Sequence, residues 1–210
     1  MSEPGKQNGS PQQPRESSPL PPELLEDIRM SAARAVKEGF RSEEQIVDGI
    51  TEMVEDEHKR SDLRPHVARI TAKLLREHRR AEATWTTPTD CDRLDVAFAN
   101  LEQQGIVARQ NFTCCQNCGH AEVGEEIEEA QMLQEVKGYT FYHMQDTESA
   151  AETGTLWLAY GSLSGDEGDS VAVGRAVAAA IGDVGLTVKW DGSLSKRICV
   201  TGMEWKRRRK

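Results

Sequence analysis

Residues 155–190 read TLWLAYGSLSGDEGDSVAVGRAVAAAIGDVGLTVKW, and the pattern changes several times within this stretch. The apolar run at 155–160 predicts a strand. A polar loop over Gly161–Gly168 follows, and the Ala- and Val-rich segment 169–183 has the apolar spacing of a buried helix. Leu186–Trp190 predicts another strand. Strand, helix and strand in this order indicate a sheet with helices packed against it.

The same alternation extends in both directions from this stretch. Asp191-Gly192 is a common hairpin turn and joins the last two predicted strands. We predict an α+β fold, loosely ferredoxin-like, with a roughly five-stranded mixed or largely antiparallel sheet and packed helices. The remaining predicted elements are helices at 90–104, 122–136 and 147–153 and strands at 106–112, 139–144 and 197–203.

The first part of the chain is organised differently and predicts three amphipathic helices. Gly39 suits a helix C-cap, Ser42 with Gln45 forms a capping box, and Ser61 suits the N-cap of the third helix. Pro88 marks a linker. The predicted organisation is a disordered tail at 1–20, a three-helix region at 21–83, an α+β domain at 84–205 and a basic tail at 206–210.

Composition excludes several classes of protein. The chain has 210 residues, a net charge of −9 and no apolar run of about 20 residues, which excludes a membrane span. The N-terminus lacks the apolar segment of a secretory signal. Because the five cysteines are odd in number and no export signal accompanies them, we expect reduced thiols and a cytoplasmic location.

The charge is unevenly distributed. The acidic body argues against a nucleic-acid clamp, because it would repel phosphate. The basic tail is formed by Lys206, Arg207, Arg208, Arg209 and Lys210. This tail could contact nucleic acid or an acidic partner, but a solubilising end or pairing with the protein's own acidic helix is favoured.

Three cysteines within residues 114–118 form the most chemically specific motif. Cys115-x-x-Cys118-Gly has the form of a zinc knuckle, in which two thiolates converge on one ion and the glycine lets backbone amides approach the sulfurs. Cys114 serves only as an alternative ligand, because it is adjacent to Cys115 and its side chain is expected to point elsewhere. The predicted zinc ligands are Cys91, Cys115, Cys118 and His120.

Two other interpretations of this turn stay open. A CxxC between a strand and a helix suits a thiol-based redox enzyme or sensor that uses Cys115 and Cys118. However, no proline follows Pro88, so the cis-proline of a thioredoxin-like site is missing. The cysteines could also be small buried residues of a tight turn.

His143 and Asp146 are a candidate base and its orienting partner, but His143 shares a predicted strand face with Tyr139 and Phe141. A packing role for His143 is therefore favoured.

The motifs also resemble an uncharacterised bacterial domain family. The resemblance is carried by DRLDVAF at 92–98, GIVARQNFTCC at 105–115, CGHAE at 118–122 and GYTFYHMQDTE at 138–148. It covers about residues 84–205, and the helices before them are similar as well. The resemblance implies no established activity, so no residue takes a role from it.

Together these features favour a non-enzymatic regulatory or interaction module that binds a protein partner, with zinc as its candidate cofactor. A redox enzyme or sensor is the alternative, and a nucleic-acid-associated regulator acting through the basic tail is a second one.

Overall fold

The computed structural model describes residues 20–55 and 59–209. The tail predicted to be disordered, residues 1–20, lies outside these ranges except for Leu20. Lys210 of the basic tail lies outside them as well. Within the described residues, seven helices and five strands confirm the predicted α+β class. The elements are α1 (Pro22–Glu38), α2 (Glu43–Val54), α3 (Arg60–Glu82), α4 (Asp90–Gln103), β1 (Ile106–Arg109), α5 (Gln116–Gln131), β2 (Gly138–Phe141), α6 (Met144–Thr153), β3 (Leu156–Ser162), α7 (Glu167–Asp183), β4 (Thr187–Lys189) and β5 (Ile198–Thr201).

The five strands form one mixed sheet with the order β1-β2-β3-β5-β4. Strands β1 and β2 are parallel, and α5 is the crossover between them. All other neighbouring strands are antiparallel. The parallel pair places the end of β1, the start of α5 and the end of β2 at one edge of the sheet, because parallel strands end on the same side.

Alternating side chains of the sheet enter two different cores. Helices α4 and α7 cover one face, where Leu94 and Ile181 pack with Leu158 of β3. Helix α5 covers part of the other face, where Val123 packs on Phe141 and Ala159. The helices α1, α2 and α3 have a separate apolar core among themselves.

Several local predictions are confirmed. The Ser42–Gln45 capping box is formed, with Gln45 N donating to Ser42 Oγ at 3.1 Å. Gly39 ends α1 with φ = 87°, a left-handed conformation that glycine adopts without steric penalty.

Several element boundaries differ from the prediction, and two of them concern capping residues. Ser61 does not cap α3, because this helix begins at Arg60 after Lys59. The strand predicted at 139–144 ends at Phe141, and His143 is instead the N-cap of α6. His143 therefore belongs to a helix terminus and not to a strand face.

The C-terminal segment, residues 204–209, packs between the helices α1–α3 and helix α4. Arg207 is buried and donates from Nη2 to Asp95 Oδ1 at 2.9 Å. Arg208 pairs with Asp92 at 2.5 Å. Arg209 donates to the carbonyl of Val36 at 3.1 Å, near the end of α1 where helical carbonyls lack partners. In the described part of the chain, the arginines of the basic tail thus contact α4 and α1, and these contacts fit neither of the two favoured alternatives, a solubilising end or pairing with the acidic helix.

None of the helices in the described ranges combines the length and the apolar character that crossing a bilayer requires.

Candidate functional site

Three cysteine side chains meet at the edge of the sheet. Cys114 Sγ lies 3.4 Å from Cys118 Sγ, and Cys115 Sγ lies 3.6 Å from the same atom. All three sulfurs lie within 4.8 Å of one another. Cys114 is exposed, and Cys115 and Cys118 are partly buried. We call this group the thiol cluster. Its spacing is compatible with a shared metal ion.

The early start of α5 explains this convergence. Cys115 is the N-cap of α5, and Cys118 lies in the first turn of the helix. The extended chain that enters the helix passes beside this first turn, so Cys114 and Cys115 lie next to Cys118. The expectation that Cys114 points elsewhere is wrong, because the helix begins at Gln116 and not near residue 122.

The loop before the cluster is held in an unusual backbone conformation. Asn111 and Thr113 have φ values of 52° and 57°, in the left-handed region that a β-branched residue such as Thr113 rarely adopts. Thr147 Oγ1 donates to Asn111 Oδ1 at 2.8 Å, and Met144 N donates to the Thr113 carbonyl at 3.1 Å. Helix α6 therefore fixes the loop that presents the cysteines.

Gly119 has a different role from the one that a zinc knuckle predicts. Its amide donates to the Cys115 carbonyl at 3.0 Å, which is an ordinary helical bond and not a contact with sulfur. A Cβ atom at this position would lie 2.4 Å from Cε2 of Phe141. The glycine thus lets the first turn of α5 approach β2 closely.

Two of the predicted zinc ligands are not members of the thiol cluster. Cys91 lies in the apolar core with Leu94, where burial raises the pKa of its thiol to about 11. His120 packs on Phe141 and faces the Tyr139 hydroxyl, with 3.3 Å between Nδ1 and the phenol oxygen. Residues two apart on a helix do not face each other, so His120 diverges from Cys118.

The two cysteines of the CxxC motif have opposite pKa shifts. The amide of Cys118, followed by the Cys118 side chain, lowers the pKa of the Cys115 thiol. The neighbouring Cys114 and Cys115 raise the pKa of the Cys118 thiol to about 12. Without a metal ion, negative charge is therefore favoured on Cys115 and disfavoured on Cys118.

A polar cleft of about 390 Å³ adjoins Cys115 and is lined by His143, Asp146 and Arg197. Arg197 pairs with Asp146 and donates to the Trp157 carbonyl at 2.6 Å. Sequence reasoning missed Arg197, because it lies 51 residues from Asp146 and no local pattern connects them.

Both ring nitrogens of His143 are already engaged. Nδ1 accepts a hydrogen bond from Asp146 N at 3.3 Å, and Nε2 lies 3.0 Å from Asp146 Oδ2. Burial lowers the pKa of His143, with Arg197 acting in the same direction and Asp146 opposing it. The neutral ring caps α6 and has no nitrogen left to accept a proton from Cys115.

Comparison with known proteins places the chain in a family but brings no function. A family model described as a domain of unknown function, DUF6891, matches residues 21–209, so the chain belongs to this family. The match includes the three N-terminal helices and the C-terminal arginines. No curated protein matches the chain, and no solved structure matches it.

Proposed function

We propose that this member of DUF6891 is a non-enzymatic regulatory or interaction module whose Cys114, Cys115 and Cys118 hold a zinc ion. The observation that carries the proposal is the spacing of the three sulfurs. Around a tetrahedral zinc ion with Zn–S bonds of about 2.3 Å, sulfurs lie about 3.8 Å apart. The sulfur–sulfur separations of 3.4 and 3.6 Å are close to this value.

The exposure of the cluster favours a regulatory site over a purely structural one. Closed structural zinc sites use four protein ligands, whereas three ligands leave one position for water or another group. Cys114 is exposed, which makes the cluster accessible from outside. A partner protein that supplies the fourth ligand would couple zinc binding to association.

The engagement of His143 supports the non-enzymatic part of the proposal. A cysteine nucleophile is usually activated by a base within hydrogen-bonding reach. His143 lines the cleft beside Cys115, yet both of its nitrogens contact Asp146.

Zinc content after purification under reducing conditions tests the proposal. We expect about one zinc per wild-type chain, and loss of zinc in Cys114→Ser, Cys115→Ser and Cys118→Ser. Cys91→Ser is the matched control, because this thiol lies in the core. A folded wild-type protein without zinc after zinc addition would contradict the proposal. So would a Cys114→Ser variant that keeps zinc while Cys91→Ser loses it.

A thiol redox function is a second candidate, favoured by the distance of 3.6 Å between the sulfurs of Cys115 and Cys118 at the start of α5. With hydrogen peroxide as oxidant, Cys115 would be oxidised to a sulfenic acid as one water is released. Cys118 would then displace the second water and form a disulfide. Mass spectrometry of the metal-free protein would show the loss of two hydrogens, reversed by a thiol reductant. Unreactive thiols would exclude this candidate.

A further inference from the structure

A second, larger cleft lies between the helical region and the α+β domain. It has a volume of about 950 Å³. Its walls come from the α1–α2 connection, α3, α4, β1 and the C-terminal segment. This volume is at the upper end of the range of small-molecule sites. The thiol cluster does not line it, so the cleft is independent of the proposed zinc site.

The lining of the cleft is cationic, although the whole chain has a net charge of −9. Three carboxylate residues line it, namely Glu43, Asp95 and Glu102. Six arginines face them, namely Arg41, Arg79, Arg109, Arg207, Arg208 and Arg209. Such a concentration of one sign of charge in a concave site attracts ligands of the opposite sign.

Internal ion pairs neutralise only half of these arginines. Arg109 pairs with Glu102, Arg207 with Asp95 and Arg208 with Asp92. Among the described residues, the guanidinium groups of the other three, Arg41, Arg79 and Arg209, form no ion pair with a carboxylate. Burial lowers the pKa of Arg209, with Arg79 acting in the same direction and Glu82 and Glu43 opposing it.

The side chain of Arg207 gives a second observation, which is independent of the charge of the lining. Its side chain is only 10 % exposed, and it stacks over the ring of Phe40 at 4.4 Å. Its Nε atom is buried and has no hydrogen-bond partner among the residues that the structure describes. A buried donor without a partner is costly, so such groups in native proteins usually bond to water or to a ligand.

We propose that this cleft binds a small polyanion, a metabolite with two or more phosphate or carboxylate groups. Arginine recognises both groups through its planar fork of N–H donors. Among the described residues, the Arg79 guanidinium has no hydrogen-bond or ion-pair partner and is the donor we assign to the ligand, whereas that of Arg209 donates to the carbonyl of Val36 and contributes charge alone. Phe40 supplies apolar surface for the rest of the ligand.

Isothermal titration of the full chain at about 0.1 M salt, where the Debye length is about 10 Å, with inorganic pyrophosphate and with citrate tests the proposal. Binding of either probe supports it, and the preferred probe identifies the oxyanion. Arg79→Gln should weaken binding about tenfold, as expected for the loss of one charge-assisted hydrogen bond. Glu43→Gln should strengthen binding, because it removes a carboxylate from the lining. Added salt should weaken it.

Arg80→Gln is the matched control. It makes the same change of charge one residue along α3, but Arg80 does not line the cleft. We expect its affinity to stay within about twofold of wild type, since screened charges outside a site contribute little. No binding of either probe at millimolar concentration would overturn the proposal. Equal weakening by Arg79→Gln and Arg80→Gln would also overturn it, because it would indicate non-specific attraction.

Discussion

Replacement of Arg207 by methionine tests whether the C-terminal segment stabilises the packing of helices α1–α3 against helix α4 and the sheet. Methionine keeps an unbranched apolar stem against Phe40 but removes the guanidinium. The lost contacts are the hydrogen bonds to Asp95 at 2.9 Å and to Gln110 Oε1 at 2.7 Å, and the stacking at 4.4 Å. Gln110 in turn accepts from the buried Tyr142 hydroxyl, so the change also disturbs a polar network.

The expected loss of unfolding free energy is about 3 kcal/mol. Breaking a buried pair by removing one partner costs about 3–5 kcal/mol, and the lower end applies because the Asp95 side chain is 38 % exposed. For a chain of this size the melting temperature would fall by roughly 6–12 °C.

Urea unfolding followed by circular dichroism measures this effect. Lys206→Met is the control, because Lys206 forms its one ion pair within the described residues with Glu204, whose side chain is 72 % exposed. Its expected cost is below about 0.5 kcal/mol, as is typical of a surface pair. If the unfolding free energy of Arg207→Met lies within about 0.5 kcal/mol of the wild-type value, the C-terminal segment does not stabilise this packing and the reasoning is refuted.

Further predictions concern α6 and α5. Because burial lowers the pKa of His143, the unfolded state takes up a proton first as the pH falls below about 6.5. Wild type should then lose unfolding free energy between pH 7 and pH 5 in urea titrations, while His143→Asn keeps the cap and loses less. Equal losses of stability in wild type and His143→Asn would contradict this role of His143. Gly119→Ala should cost about 1–3 kcal/mol, because its Cβ meets Phe141 at 2.4 Å. A Cβ atom at Gly124, on the same helix, would meet nothing within 4 Å, so Gly124→Ala should stabilise the protein by up to about 1 kcal/mol. A similar change of stability in both variants would contradict the close contact of Gly119 with Phe141.

Local signals in the sequence were sufficient for the α+β class and for several helix termini. The capping box of Ser42 and Gln45 involves only two residues three positions apart. The C-cap at Gly39 requires only that this residue adopt a left-handed backbone conformation. Strand order could not be predicted, because pairing such as that of Leu156 with Val200 joins residues distant in sequence.

The thiol cluster shows where local reasoning failed. The CxxC motif correctly indicated that Cys115 and Cys118 lie together, but the start of α5 was placed too late. With the helix beginning at Gln116, its first turn places Cys118 beside the preceding Cys114, and His120, two residues further along the helix, points away. The alternating pattern at 139–144 was likewise misleading, because His143 ends this run as a helix cap.

The basic tail shows a different limit. Its sequence indicates charge but not the positions of the carboxylates that meet it. Arg207 and Asp95 are 112 residues apart. Only the packing of α4 beside the C-terminal segment brings them together.

X-ray absorption at the zinc edge of the Cys91→Ser variant tests the central claim most directly, since it reports the ligands of the metal itself. We predict that this variant retains zinc with a shell of three sulfurs at about 2.3 Å, because Cys114, Cys115 and Cys118 are all intact. A zinc-free protein, or a shell with fewer sulfurs, would show that these three cysteines do not form the metal site.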